Sequence, residues 1–188
     1  MPMDTQALNQ QRQDLSGHDS VWLFGYGSLL FKADFPYLQR QPAWINHWVR
    51  RFWQGSHDHR GTPEAPGRVL TLVEAPGERC FGMAYQVEPE VFGHLDHREK
   101  NGYLRFQTEF ELPNRPNVNG LVYIATAENA AWLGPAPQQQ LANHIARATG
   151  PSGPNAEYLL RLAQALDEYQ VYDPHVHELA SLVREQRE

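Results

Sequence analysis

In the stretch Val21-Trp22-Leu23-Phe24-Gly25-Tyr26-Gly27-Ser28-Leu29, an apolar run leads directly into a glycine-rich turn. A short apolar run bounded by glycines is typical of a buried strand. Glycine lets the backbone turn sharply and approach a ligand, and successive N–H groups in such a turn can bind a carboxylate or an oxyanion. The same turn also fits a structural role with Tyr26 in the core. It lacks the G-x-G-x-x-G spacing of a dinucleotide site.

Outward from this stretch, strand patterns continue to about residue 125 and helix patterns follow. Short apolar or alternating runs predict strands at 21–24, 47–53, 68–73, 81–87, 104–110 and 121–125. Helical spacing predicts a short helix from Pro89 toward Glu99 and later helices that begin near Pro137, Asn155 and Asp173. This order favours an α+β fold, a mixed sheet or small β-barrel with flanking helices.

Composition and charge exclude several classes of protein. The 188 residues suggest a single domain. The 16 basic and 22 acidic side chains give a net charge of -6, which argues against nucleic acid or an anionic membrane as the main partner. No apolar run reaches the ~20 residues of a membrane helix. The single cysteine, Cys80, fits a reducing compartment, so we expect a cytoplasmic protein and, by default, a monomer.

The N-terminal residues are polar and rich in glutamine, without the apolar segment of a secretory signal. We therefore predict residues 1–20 to be a flexible arm and residues 21–188 to form one domain.

The segment 54–68 is long, polar and rich in glycine and proline, as functional loops often are. His57 and His59 suggest a metal site, but no zinc-like ligand spacing follows, so we expect no metal. Arg60 and Arg68 either bind an anionic substrate or brace the loop. A hydrogen-bonded structural loop remains an alternative.

A helix-to-strand junction at 95–103 holds the candidate catalytic groups. Glu99 has Leu95 one turn before it and Gly102-Tyr103 just after it, so one side of its carboxylate can be buried. A partly buried carboxylate is suited to proton transfer. His97 is an alternative base, and a solvated charged face is the alternative for the whole segment.

The other candidate nucleophiles in the sequence have only weak support. Ser28 lacks the second glycine of a G-x-S-x-G elbow, and Cys80 lies in a predicted strand, where a buried apolar role is expected.

In combination, these segments resemble the ChaC family of glutathione-specific γ-glutamylcyclotransferases. The matching pieces occur in family order over most of the chain: Phe24-Gly25-Tyr26-Gly27-Ser28-Leu29, Arg51-Phe52-Trp53-Gln54-Gly55, His59-Arg60-Gly61-Thr62, Pro66-Gly67-Arg68-Val69, Gly82-Met83-Ala84-Tyr85, Arg98-Glu99, Gly102-Tyr103, Leu133-Gly134-Pro135-Ala136 and Ser152-Gly153-Pro154-Asn155.

The resemblance implies a γ-glutamylcyclotransferase-like fold and the cleavage of glutathione to 5-oxoproline and cysteinylglycine. By position, Glu99 matches the catalytic glutamate, and Tyr26-Gly27-Ser28-Leu29-Leu30-Phe31 matches the substrate-binding loop. We add Arg60 and Tyr103 as substrate-binding candidates. Asn101 departs from the family pattern, and the arm before residue 20 has no counterpart in it.

Three hypotheses follow for the function. The first is glutathione cleavage with Glu99 as the base and no cofactor or metal. The second keeps the chemistry and changes the substrate to another γ-glutamyl amino acid or amine. The third is a non-enzymatic regulator linked to cation transport, which an intact Glu99 argues against.

Overall fold

The computed structural model describes residues 4–187. Its helices are α1 (Gln6–Arg12), α2 (Val91–Arg98), α3 (Gln138–Arg147), α4 (Asn155–Glu168) and α5 (Pro174–Glu185), and a 3-10 turn spans Ser28–Leu30. Its strands are β1 (Val21–Gly25), β2 (Gln39–Ser56), β3 (Gly67–Val87), β4 (Tyr103–Phe110), β5 (Val118–Ala125) and the short hairpin β6 (Thr149–Gly150) and β7 (Gly153–Pro154). None of the described helices is long and apolar enough to cross a membrane.

The five long strands form one sheet in the order β2-β3-β1-β5-β4. The central strand β1 is antiparallel to β3, with Leu23 opposite Tyr85, and parallel to β5, with Leu23 opposite Leu121. An isolated bridge joins Trp44 of β2 to Glu111 beside β4 through hydrogen bonds of 3.0 and 2.8 Å. The α+β class is confirmed, but in the described residues the edges of the sheet meet at this bridge and do not close a complete barrel.

The described chain divides into two compact units. Residues 4–49 and 72–130 form the first unit, and residues 50–71 and 131–187 form the second. The core of the first unit contains large side chains that are at most 1% exposed, among them Phe24, Tyr85, Leu95 and Phe110. In the second unit, α3, α4 and α5 bury their apolar stripes to the same extent, with Leu141, Ile145, Leu162, Leu166, Val176 and Leu179.

Helix α1 anchors the N-terminal segment in the first unit. Thr5 and Asn9 are fully buried. The Asn9 side chain donates to the carbonyl of Tyr103 at 2.9 Å and accepts from the N–H of Arg105 at 2.8 Å. This packing differs from the loosely held arm that we predict, because the main chain of β4 satisfies the polar side chains. The division at residue 20 stays a prediction.

Local details differ from the sequence prediction at two further places. The strands predicted at 68–73 and 81–87 are one continuous strand, β3, which contains Gly77 at a φ of 86°. Asn155 begins α4 but does not cap it, since its side chain bonds the N–H and the carbonyl of Arg68 at 2.7 and 2.8 Å. Asp173 does cap α5, accepting from the N–H of Val176 at 3.2 Å.

Candidate active site

The glycine-rich turn after β1 forms a compact loop at residues 26–31. Ser28–Leu30 is one turn of 3-10 helix, and a main-chain hydrogen bond of 2.9 Å closes it. The first N–H groups of such a turn, those of Ser28 and Leu29, have no acceptor within the helix. Gly25 makes the turn possible, because a Cβ there would lie 2.5 Å from the Cβ of Leu29. The turn thus presents main-chain N–H groups at its start.

Two tyrosines hold this loop. The buried Tyr26 donates its hydroxyl to the carbonyl of Tyr123 at 2.6 Å. The hydroxyl of Tyr85 donates to the carbonyl of Leu29 at 2.5 Å. Tyr26 is therefore packed in the core, as the structural interpretation of the turn requires, while Ser28 and Leu29 remain partly exposed. The two interpretations of the turn are compatible: the Tyr26 side chain is structural, while the N–H groups of Ser28 and Leu29 have no acceptor within the turn.

Glu99 directly follows α2, where the chain turns toward β4. Its N–H donates to the carbonyl of Leu95 at 2.9 Å. Its carbonyl accepts from the Thr5 hydroxyl at 3.1 Å and from the Tyr103 N–H at 3.3 Å. The side chain is 21% exposed. The carboxylate therefore reaches solvent while its main chain is held from both sides.

Arg98 connects the loop to Glu99. Its Nη2 donates to the hydroxyl of Ser28 at 2.8 Å, and its Nη1 donates to Asp34 at 2.7 Å. Its Nε lies 3.7 Å from a carboxylate oxygen of Glu99. One guanidinium thus contacts a residue of the predicted substrate loop and the predicted base. This role of Arg98 is not predicted from the sequence, where the only signal for it is the Arg98-Glu99 pair in the family motif.

A buried polar network lies one turn before Glu99 on α2. Asp96 is 1% exposed, accepts from the Tyr123 hydroxyl at 2.6 Å and lies 3.5 Å from Nε of Arg105. Burial raises the pKa of Asp96, although Tyr123 and Arg105 oppose that shift. Burial also raises the pKa of Tyr123, and the charges of Asp96 and Glu99 raise it further. The phenol is therefore a permanent hydrogen-bond donor beside two carboxylates.

Two further candidates, Tyr103 and His97, lie close to Glu99 in sequence but differ in burial. Tyr103 begins β4 and is half-buried, with its N–H on the carbonyl of Glu99. His97 is exposed on α2. The contacts described so far join the loop at 26–31, Arg98, Glu99 and Tyr103 within the first unit.

Arg60 lies in the second unit. It is 8% exposed, its Nη1 donates to the carbonyl of Pro154 at 3.1 Å, and its guanidinium lies over the ring of Tyr158, 5.6 Å from the centroid. Burial lowers the pKa of Arg60, and Glu157 opposes that shift. These contacts fit the alternative in which Arg60 braces the segment 54–68.

The histidines of the segment 54–68 do not assemble a metal site in the part of the chain that is described. Within residues 4–187, no group of three or more His, Cys, Asp or Glu side chains is placed to hold a metal ion. Nε2 of His59 lies 3.7 Å from the Asp58 carboxylate, and its Nδ1 lies 3.3 Å from the Ser152 hydroxyl. Cys80 is buried.

Comparison with known proteins identifies what this chain resembles. A model of the ChaC family, described as ChaC-like protein, matches residues 21–186. Gamma-glutamylcyclotransferase 2-3 of Arabidopsis thaliana is 44% identical, with 88% of this chain and 89% of the relative covered. Glutathione-specific gamma-glutamylcyclotransferase 1 of Danio rerio is 43% identical, with 87% and 89% covered.

The structural comparison agrees with the sequence comparison. A crystal structure of a yeast γ-glutamyl cyclotransferase specific to glutathione superposes with a TM-score of 0.82 at 32% identity. The match covers 89% of this chain and 97% of the yeast chain.

Proposed function

This chain belongs to the ChaC family, and we propose that it is a glutathione-specific γ-glutamylcyclotransferase that cleaves glutathione into 5-oxoproline and cysteinylglycine. The names of its relatives from Danio rerio and Saccharomyces cerevisiae, which are 43% and 36% identical, support this substrate. The contact that carries the proposal is that of Arg98 with both Ser28 and Glu99. It connects the candidate substrate loop to the candidate base.

The reaction is an internal acyl transfer. The α-amino nitrogen of the γ-glutamyl group attacks the carbonyl carbon of the same side chain and forms the carbon–nitrogen bond of a five-membered lactam. The bond from that carbon to the cysteine nitrogen then breaks. Because nucleophile and electrophile belong to one molecule, the protein mainly has to hold the reactive conformer.

Glu99 is the proposed general base and acid. An ammonium group cannot attack a carbonyl, so the α-amino group first loses one proton to solvent, and the carboxylate of Glu99 takes a second proton from it as the carbon–nitrogen bond forms. It then returns the proton to the departing cysteine amine, so the enzyme ends in its starting state. The partial exposure of Glu99 allows substrate to reach it, and the bonds to its main chain hold it in place.

We propose that the turn after β1 stabilises negative charge on the substrate. As the carbonyl carbon becomes tetrahedral, its oxygen gains negative charge. The N–H groups of Ser28 and Leu29 can donate to that oxygen or to the α-carboxylate of the substrate. We also retain Tyr103 and Arg60 as substrate-binding candidates, to be tested by their effect on KM.

The decisive experiment measures 5-oxoproline and cysteinylglycine by mass spectrometry after incubation with glutathione. We expect both products from the native protein and about 1,000-fold slower turnover from Glu99→Gln, since general acid–base catalysis contributes roughly 100- to 10,000-fold. His97→Gln is the matched control on the same helix and should keep nearly full activity. Circular dichroism verifies that both variants fold.

Two results would contradict this mechanism. Turnover by Glu99→Gln above about one tenth of the native rate would exclude Glu99 as the base, and loss of turnover in His97→Gln alone would assign that role to His97. Native protein without either product would refute glutathione cleavage and favour first another γ-glutamyl substrate and then the non-enzymatic regulator.

A second candidate substrate is a different γ-glutamyl amino acid or amine. The Arabidopsis relative at 44% identity carries a name without glutathione in it, which favours keeping this alternative. Values of kcat/KM for glutathione and γ-glutamyl-alanine, measured side by side, distinguish the two. We expect glutathione to be preferred.

Chemistry and composition support proposals about the cofactor, the oligomeric state and the location of the enzyme. We propose that it needs no cofactor, because the substrate supplies both the nucleophile and the electrophile. We further propose that it is cytoplasmic and a monomer, and size-exclusion chromatography with light scattering tests the oligomeric state.

A further inference from the structure

A polar cavity of about 320 Å³ lies in the second unit, lined by Arg68, Ala136, Gln140, Asn143, His144 and Arg147. Its volume is near the lower end of the range for small-molecule sites, roughly 300–1,000 Å³. Four of the lining side chains come from α3, at a spacing that places them along one face of the helix. None of the six is acidic, although the chain has 22 acidic and 16 basic side chains.

Arg68 is the buried cation of this cavity. It is 8% exposed, and its Nη1 donates to the carbonyls of Phe52 and Gly134 at 3.0 and 2.7 Å. Among the described residues, no acceptor faces Nη2 and no carboxylate pairs with the guanidinium. Burial lowers the pKa of Arg68. A buried charge without a counter-ion is unfavourable, and a bound anion would remove that cost.

His144 fixes the direction of this guanidinium. Its Nε2 lies 2.7 Å from the carbonyl of Pro66 and can only donate to it. Its Nδ1 lies 3.4 Å from Nε of Arg68, at the long end of hydrogen bonding, and can accept. In this tautomer the imidazole accepts from Arg68 and orients its guanidinium.

The helix face adds further donors. Arg147 is exposed and forms no ion pair with any described residue. The side-chain oxygen of Asn143 accepts from the amides of Gln139 and Gln186 at 3.0 and 2.6 Å, so its own NH₂ group remains to donate. Two guanidinium groups and side-chain amides thus surround one cavity.

We propose that this cavity binds a small multivalent oxyanion, a phosphate or a polycarboxylate, between Arg68 and Arg147. Guanidinium groups bind both kinds of anion through paired, charge-assisted hydrogen bonds. The site is independent of the proposed glutathione reaction, since none of its lining residues is a group proposed for that reaction.

Isothermal titration calorimetry of the full chain with inorganic phosphate and, separately, with citrate tests the proposal. At about 150 mM NaCl, which screens diffuse attraction, we expect saturable binding of at least one anion, and the one that binds defines the class. Arg147→Gln should bind about tenfold more weakly or worse, which corresponds to about 1.4 kcal/mol. Gln140→Glu, which adds a negative charge to the lining, should abolish binding.

Arg187→Gln is the matched control, because it removes the same charge from the same unit outside the cavity lining. It should bind as the native protein does. Absence of saturable binding for both anions overturns the proposal. Native affinity in Arg147→Gln, or equal weakening in Arg187→Gln, overturns it as well. All three variants should cleave glutathione at the native rate, so failure here is distinguishable from failure of the proposed enzyme function.

Discussion

Arg105 and Arg68 are both buried arginines, one in each unit, and they are satisfied in different ways. Arg105 is 2% exposed and lies 3.5 Å from the buried carboxylate of Asp96. Arg68 is 8% exposed and bonds main-chain carbonyls, with no carboxylate partner among the described residues. A carboxylate can gain a proton and a carbonyl cannot. Arg105 therefore belongs to a titratable buried network close to the candidate base, whereas Arg68 has no carboxylate partner among the described residues.

The largest expected effect comes from breaking the pair in the first unit. Arg105→Met leaves Asp96 buried without its cation and should lower the free energy of unfolding by about 4 kcal/mol at pH 8. Without Arg105, the pKa of Asp96 rises further above its unfolded value, so the folded state binds more protons. The loss should therefore shrink as pH falls toward 5. Urea denaturation at the two pH values measures it.

Arg68→Met provides the contrast in the second unit. Two carbonyls lose a charged donor, which should cost about 3 kcal/mol. No carboxylate is left unpaired by this change, so in a background in which His144, the acceptor for Nε of Arg68, is replaced by Gln, the loss should be the same at pH 5 and pH 8. A loss that varied with pH as it does in Arg105→Met would remove the distinction between the two arginines.

Arg98→Lys tests whether charge pairing in the first unit supports catalysis. Lysine cannot hold Ser28, Asp34 and Glu99 together, because it presents a single ammonium group where arginine has a planar fork. We expect kcat to fall about tenfold while the free energy of unfolding changes by less than about 1 kcal/mol, since the side chain is partly exposed. Steady-state kinetics and urea denaturation give the two numbers, and an unchanged kcat would contradict the role of Arg98.

The smallest expected effect concerns the N-terminal segment. The Thr5 hydroxyl donates to the carbonyl of Glu99, so Thr5→Val should displace Glu99 slightly and lower kcat about threefold, with KM unchanged. Thr5→Ser keeps the hydroxyl and is the matched control. Equal loss in both variants would mean that packing, and not this hydrogen bond, explains the effect.

The fold was predictable where the signals are local. The apolar run into Gly25 ends a strand, and Asp173 caps a helix that Pro174 begins, because both effects act between neighbouring residues. Asn155 shows where this reasoning fails. Its residue type suits a helix cap, but its amide pairs with the main chain of Arg68, 87 positions away.

The candidate site likewise contains residues that local signals identify and residues whose contacts are distant in sequence. Glu99 and the loop at 26–31 are candidates that sequence and family motif already suggest. The role of Arg98 depends on Asp34 and Ser28, which are 64 and 70 positions away, and no spacing rule reaches that far. The burial of Thr5 likewise depends on the junction after α2. From a single sequence, polar residues that pair with distant residues cannot be distinguished from residues that are exposed to solvent.

The parallel pairing of Leu23 with Leu121 has a consequence for synthesis of the chain. About 100 residues separate the two partners, so the loop that follows β1 cannot take its final form until β5 has been translated. At roughly 5–20 residues per second, β1 waits on the order of 5 to 20 s for this partner. During that interval β1 has only β3 as a strand partner, so its other edge stays unpaired on the nascent chain.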